Sequence, residues 1–233
     1  MEATITVYCK NTHSYHEVPR GISLIELKDR LNIQLPYPII AAHVNYKVEN
    51  LDFLLYKPKD VEFLDASSPS GMRVYVRTLS MVLACAVNEL YPRMDLRVEH
   101  PISKGYYCTL QWHRDKDEEP ENCTEPPVVT KEMIDAIKKR MQQIIAENRP
   151  IYEEEKQTKE VIKMFAARYN NESSIFETLG NPYCRYFRMG DFIDYYSNVL
   201  LPSSGYITLF DIEPFKDGML VRIPNRSNPL ILE

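Results

Sequence analysis

The side chains that could do nucleophilic chemistry are few in this sequence, and they are scattered. Cysteine is the most reactive of them, and the chain has five: Cys9, Cys85, Cys108, Cys123 and Cys184. None forms a C-x-x-C pair. The candidate nucleophiles Cys108 and Cys184 have no histidine near them in sequence to act as a base. The pattern therefore predicts reduced cysteines that fill small spaces in a core.

The only two histidines that stand close together are His13 and His16. A metal site would need further donors, and Glu17 is the single nearby candidate. We therefore predict a solvated hairpin here and no metal site.

The composition narrows the class of protein. The chain has 233 residues, 44% of them hydrophobic, and a net charge of −5. A dedicated nucleic-acid binder usually has a basic face, which this balance does not suggest. Because the N-terminus has no apolar leader and no run approaches the roughly 20 apolar residues of a membrane span, we predict a cytoplasmic protein without a membrane partner.

The first 70 residues have the pattern of a small α+β unit. The predicted strands and helix are centred on Ile5–Val7, Tyr15–Val18, Leu24–Leu31, Ile39–Val44 and Val61–Leu64. Ser23 and Glu26 form a capping box at the start of the helix. This order predicts a ubiquitin-like sheet.

The rest of the chain alternates helices with short strands. Predicted helices carry Leu79 to Leu90, Ile134 to Ile145 and Val161 to Tyr169, and predicted strands lie at Leu96–Glu99, Tyr106–Gln111, Arg185–Met189, Tyr206–Pro214 and Met219–Ile223. The charged, proline-rich stretch Asp115–Pro127 predicts a loop. Asp217–Gly218 predicts a hairpin turn.

These elements resemble two domains of threonyl-tRNA synthetases. His43–Val44–Asn45 and Asp60–Val61–Glu62 resemble motifs of the TGS domain, a β-grasp module, although Tyr46 stands where that family often has glycine. Leu79 to Pro92, Glu99 to Tyr107 and Phe192 to Ile207 resemble the editing domain. The resemblance implies an α+β fold with a TGS-like β-grasp domain in residues 1–70. It also implies an editing-like domain with an antiparallel sheet and long helices in residues 71–233.

The same resemblance identifies the reactive positions of the editing pocket. Its H-x-x-x-H pair falls on Arg77 and Met81, and the Cys and His of its D-x-C-x-x-x-H turn fall on Tyr196 and Leu200. Of that pocket, Asp194 alone is kept.

The four replacements remove the pocket's chemistry. Arginine stays protonated, leucine has no donor atom and methionine is a weak neutral thioether. A phenol with a pKa near ~10 is a poor ligand and base at neutral pH. We therefore predict a degenerate pocket without catalytic residues, metal or cofactor. For Asp194 we weigh a turn-capping role against a pocket carboxylate, and an ion pair with Arg77 is a further hypothesis.

An aromatic cluster could bind a base by stacking or could simply be half-buried strand. It comprises Tyr183, Tyr186, Phe187, Phe192, Tyr195 and Tyr196.

The resulting functional prediction is a non-catalytic regulatory, ligand-binding or partner-binding module. The order of domains and the apolar ending at Glu233 resemble the N-terminal region of bacterial uridine kinase-like proteins. That resemblance implies an attached C-terminal catalytic domain, an ATP-dependent P-loop nucleoside kinase. The alternatives are an RNA- or tRNA-binding module and a residual aminoacyl-tRNA deacylase.

Overall fold

The computed structural model of the chain describes residues 3–102, 105–112, 127–166 and 180–232. Within these ranges, four α-helices and several sheets form an α+β fold, as predicted. The predicted loop Asp115–Pro127 lies outside them except for Pro127. Cys123, Tyr169 and part of the turn before Gly105 lie outside them as well.

The first 65 residues contain seven strands and one short helix. They are β1 (Thr4–Cys9), β2 (Ser14–Pro19), β3 (Ile22–Ser23), α1 (Leu24–Arg30), β4 (Ile39–Val44), β5 (Lys47–Glu49), β6 (Leu54–Leu55) and β7 (Lys59–Asp65). Five strands form one mixed sheet in the order β2-β1-β7-β4-β5, in which β1 and β7 are parallel. This is the β-grasp arrangement that the sequence pattern predicts.

Local chemistry explains this first unit. Ile5, Val7 and Cys9 alternate with exposed residues, so β1 presents one apolar face to a small core. The predicted capping box is confirmed, since the Ser23 hydroxyl accepts a hydrogen bond from the Glu26 amide and the Glu26 carboxylate accepts one from the Ser23 amide.

The remaining elements follow in chain order. They are α2 (Pro69–Leu90), β8 (Met94–Ile102), β9 (Gly105–Trp112), α3 (Lys131–Ala146), β10 (Tyr152–Gln157), α4 (Thr158–Ala166), β11 (Tyr183–Met189), β12 (Phe192–Asp194), β13 (Asp211–Phe215), β14 (Gly218–Arg222), β15 (Pro224–Asn225) and β16 (Asn228–Leu232). One antiparallel sheet has the order β13-β14-β9-β8, and another has the order β10-β11-β12.

Several elements differ from prediction, and β10 was not predicted. The predicted strand Tyr206–Pro214 begins only at Asp211. A 3-10 turn occupies Ser204–Tyr206, and the amides of Thr208 and Leu209 donate to the Tyr75 hydroxyl. The hairpin near Asp217 is confirmed, but Phe215 pairs with Gly218, so the loop residues are Lys216 and Asp217. Gly218 is required by a close approach of the backbone, because a Cβ there would lie 2.2 Å from the Cys108 carbonyl oxygen.

The larger core is built around α2 and continues into the first unit. Ile40, Ala41 and Ala66 belong to the same buried cluster as the apolar residues of α2, α3 and the segment 199–201. A separate cluster fills the β-grasp unit. The domain boundary at residue 70 stays a prediction. Below, the part of the chain before this boundary is called the first unit, and the part after it is called the second unit.

Candidate functional site

One face of α2 binds the backbone of the segment that follows β12. Arg77 donates a hydrogen bond of 2.7 Å from Nη1 to the Val199 carbonyl oxygen. One residue further on, the buried Thr78 hydroxyl accepts from the Leu201 amide at 2.9 Å. These contacts bring the two sequence regions of the predicted pocket together.

Tyr75, which the sequence reasoning missed, extends the same contact. Its hydroxyl accepts from the amides of Thr208 and Leu209, at 3.0 and 2.8 Å, and donates to the Leu209 carbonyl oxygen. Burial raises the pKa of this phenol, so it stays protonated at neutral pH. Tyr75 and Thr78 are both polar residues on the buried face of an amphipathic helix. That pattern is the sequence signal that could have predicted this contact.

Two of the four predicted pocket positions lie in the apolar interior. Met81 and Leu200 are 0% and 1% exposed and belong to the larger core. Their side chains offer neither a proton acceptor nor a charged ligand. Both side chains contribute to the packing of the core.

The other two positions are polar but are engaged by protein groups. The Tyr196 hydroxyl donates to Asp194 Oδ2 at 2.9 Å, and Asp194 Oδ1 accepts from the Tyr195 amide at 2.7 Å. Arg77 and Asp194 form no ion pair in the described part of the chain, because the guanidinium is directed to Val199 instead. Burial of the guanidinium is the main cause that lowers the pKa of Arg77, and the positive charge of the nearby Arg73 lowers it further.

Beside Tyr196 lies an open groove of about 320 Å³, which we call the tyrosine groove. Tyr183, Tyr195 and Tyr196 line it together with Phe187, and neutral hydrogen-bonding groups come from Ser197 and Asn198. Tyr183 is 56% exposed, so its ring is available to a ligand.

The tyrosine groove also contains charged side chains. Glu153 and Glu155 come from β10, and Arg185 comes from β11 directly opposite Glu155 in the strand register. Arg185 donates to Glu153 at 2.9 Å. Lys47 and Val48 of β5 also line the groove.

The predicted aromatic cluster is thus divided between groove and interior. Tyr186 lies on the other side of β11, where its ring meets that of Phe165 at a centroid distance of 6.4 Å. Phe192 belongs to the larger core. The four remaining aromatic residues line the tyrosine groove.

The four cysteines within the described ranges are buried thiols, as predicted for core residues. Burial raises the pKa of the Cys108 thiol to about 12, and burial also raises that of Cys184. A raised pKa removes the thiolate that nucleophilic attack needs.

The predicted histidine pair lies on the β1–β2 hairpin. The His16 ring nitrogen Nε2 is 2.9 Å from the hydroxyls of both Thr12 and Ser14. Within the described ranges, no group of three or more His, Cys, Asp or Glu residues is close enough to hold a metal ion. No helix there is long and apolar enough to cross a membrane.

No protein-family profile matches the chain. Similarity to individual proteins is clear, however. The chain is 28% identical over 193 residues to the threonine–tRNA ligase of Clostridium kluyveri, and 29% identical over 200 residues to that of Natranaerobius thermophilus. It is 28% identical over 201 residues to threonine–tRNA ligase 2 of Bacillus subtilis. The matches cover 81%, 83% and 84% of this chain.

The chain spans only 28–29% of the length of these relatives. The similarity is consistent with a domain derived from a threonine–tRNA ligase. It fits the α+β class and the order of elements described above.

Proposed function

We propose that the chain is a non-catalytic binding module, derived from a threonine–tRNA ligase, that receives the unpaired terminal nucleoside of an RNA. The single-stranded 3′ end of tRNA is the first ligand to consider, because the relatives are tRNA ligases. The observation that carries the proposal is the tyrosine groove, which is lined by Tyr196 of the predicted pocket.

The groove has the chemistry of a nucleoside site. Aromatic rings stack on every base, and each stacked base contributes roughly 1–3 kcal/mol to binding of single strands. Tyr183 offers an exposed ring, while Ser197 and Asn198 can hydrogen-bond to base edges. Ribose hydroxyls can donate to a carboxylate such as Glu155.

The loss of catalysis is supported by the fate of each reactive position. Met81 and Leu200 pack in the core, Arg77 binds a carbonyl oxygen, and the Tyr196 hydroxyl donates to Asp194. General base catalysis needs a group that titrates near the working pH and lies within reach of a water. None of these four side chains offers one.

Titration of the chain with deacylated tRNA, and with the same tRNA lacking its terminal nucleotides, tests the proposal. We expect the shortened tRNA to bind about tenfold more weakly, and we expect Tyr183→Ala to reproduce that loss. Tyr15→Ala is the matched control, since Tyr15 is 74% exposed on β2 and stacks against Tyr8 outside the groove.

Equal binding of the two tRNAs, or equal effects of the two tyrosine variants, would contradict the proposal. Incubation with mischarged tRNA tests the alternative of a residual deacylase. Ester hydrolysis faster than in buffer would establish that alternative.

We also propose that the module is attached to a catalytic domain in a longer protein. The relatives named above are ligases, so attachment to a nucleoside kinase is supported by the resemblance in domain order alone. The sequence beyond Glu233 decides this point: a P-loop there would support the kinase, and a class II synthetase motif would support a ligase.

A further inference from the structure

The tyrosine groove is completed by a cation from the first unit. Lys47 stands on β5, at the edge of the β-grasp sheet, and its ammonium lies 2.8 Å from the Glu49 carboxylate. The Lys47 side chain is 64% exposed, whereas that of Glu49 is 11% exposed. The positive group is therefore the more accessible member of the pair, and an ammonium has two further protons to donate.

The hairpin that carries Lys47 is held firmly in place. Asn45, at the turn, has the left-handed φ of 56°, and it exchanges two hydrogen bonds with the Asp60 backbone, at 2.7 and 3.1 Å. Val48 packs against the larger core. Lys47 is thus positioned before a ligand arrives, which lowers the entropic cost of binding.

The distribution of charge favours Lys47 over Arg185 as an anion site. Arg185 is paired with Glu153 and stands opposite Glu155, so two carboxylates surround one guanidinium. A phosphate would be repelled there. On β5, one carboxylate accompanies one ammonium.

We propose that Lys47 binds the phosphate on the 5′ side of the nucleoside in the tyrosine groove. The ligand class is then a nucleotide, and the site requires both units of the chain. This inference rests on the proposed function, because the tyrosines must hold the base for the phosphate to reach β5. It makes Lys47 a determinant of specificity for nucleotide over nucleoside.

Calorimetric titration of the 233-residue chain with adenosine 5′-monophosphate and with adenosine provides the test. We expect the monophosphate to bind more tightly, and Lys47→Gln to weaken its binding about tenfold, as expected of one charge-assisted hydrogen bond. Adenosine binding should not change. Lys10→Gln is the matched control, because Lys10 also pairs with a glutamate in the β-grasp unit but lies outside the groove.

A second measurement uses a short single-stranded RNA. Loss of one phosphate contact should reduce the slope of log K against log salt by about 0.7. Lys47→Arg should keep the slope. Lys47→Gln leaves the buried Glu49 carboxylate without its counter-charge. If this lowers the melting temperature, the double variant Lys47→Gln with Glu49→Gln is used instead of the single one.

The outcomes separate this inference from the proposed function. If Tyr183→Ala weakens monophosphate binding but Lys47→Gln does not, the inference is overturned and the nucleoside site stands. Equal weakening of adenosine and monophosphate binding by Lys47→Gln would also overturn it. If the wild-type chain binds neither compound nor the RNA, both proposals fail.

Discussion

The Arg77 guanidinium and the Val199 carbonyl oxygen are joined by a hydrogen bond of 2.7 Å that links α2 to the segment after β12. The bond connects residues far apart in the chain and occupies a position where the resemblance places an imidazole. The Arg77 side chain thus links two segments of the fold.

We therefore expect Arg77→Met to destabilise the protein by about 1.5–3 kcal/mol, the usual value for a hydrogen bond from a charged group. Urea unfolding measures this. An unchanged midpoint would show that the bond contributes nothing. In a double-mutant cycle with Asp194→Asn, the coupling energy should be below about 0.5 kcal/mol, because the two residues form no ion pair.

Thr78 offers a second test of the same link. Thr78→Val keeps the shape of the side chain but leaves the Leu201 amide without its acceptor, at an expected cost of about 1–3 kcal/mol. Thr78→Ser keeps the hydroxyl and serves as the control. If Thr78→Val keeps wild-type stability while Thr78→Ser loses it, the methyl group and not the hydrogen bond stabilises this link.

A histidine placed at position 81, where the resemblance puts one, should not confer catalysis. Met81 is 0% exposed, so Met81→His would bury a polar ring in the core and destabilise the chain by about 2–5 kcal/mol. Met81→Leu, which conserves volume, should cost less than about 1.5 kcal/mol. Thermal unfolding and a deacylation assay would be run on both. A stable Met81→His variant with deacylase activity would contradict the description of a filled pocket.

The network formed by Glu89, Arg140, Glu147 and Arg149 predicts a dependence of stability on pH. Partial burial of Glu89 opposes its ionisation, but hydrogen bonds from Arg149 and Arg140 outweigh it and lower its pKa. The pKa of Glu89 is therefore lower in the folded state than in the unfolded state. The stabilisation that results is fully present above the unfolded-state pKa and is lost as the pH falls through the folded-state pKa.

We accordingly expect the melting temperature of the wild type to fall below about pH 4, close to the pKa of an unfolded glutamate. Glu89→Gln should make that acid decline shallower and should lower stability at pH 7. Glu17→Gln, on the exposed face of β2, is the control. Parallel pH profiles for wild type and Glu89→Gln would rule out this role of the network.

The sequence predicts the elements of this fold well, and their limits less well. The helix that carries Arg77 is predicted only from its apolar spacing, yet α2 begins at Pro69. Ser68 and Pro69 are in fact a strong start signal, since the Ser68 hydroxyl accepts from the Gly71 amide and proline suits the first helical turn. In the sequence, the run of serines around them instead resembles a loop.

The candidate site is predicted in part. The resemblance identifies Arg77, Met81, Tyr196 and Leu200, but residue types alone could not show that two of them are buried while Tyr196 borders a groove. Lys47 was missed altogether. It lies in another sheet, far along the chain from Tyr183, and only the packing of β5 brings it to the groove.

The apolar contacts of Ile40, Ala41 and Ala66 with the α2 core matter for anyone who wishes to dissect the molecule. A recombinant fragment starting at residue 71 would remove the cap at Ser68 and strip three covering residues from the interior. Such a truncation should aggregate or require a solubilising fusion, so the chain is better expressed whole.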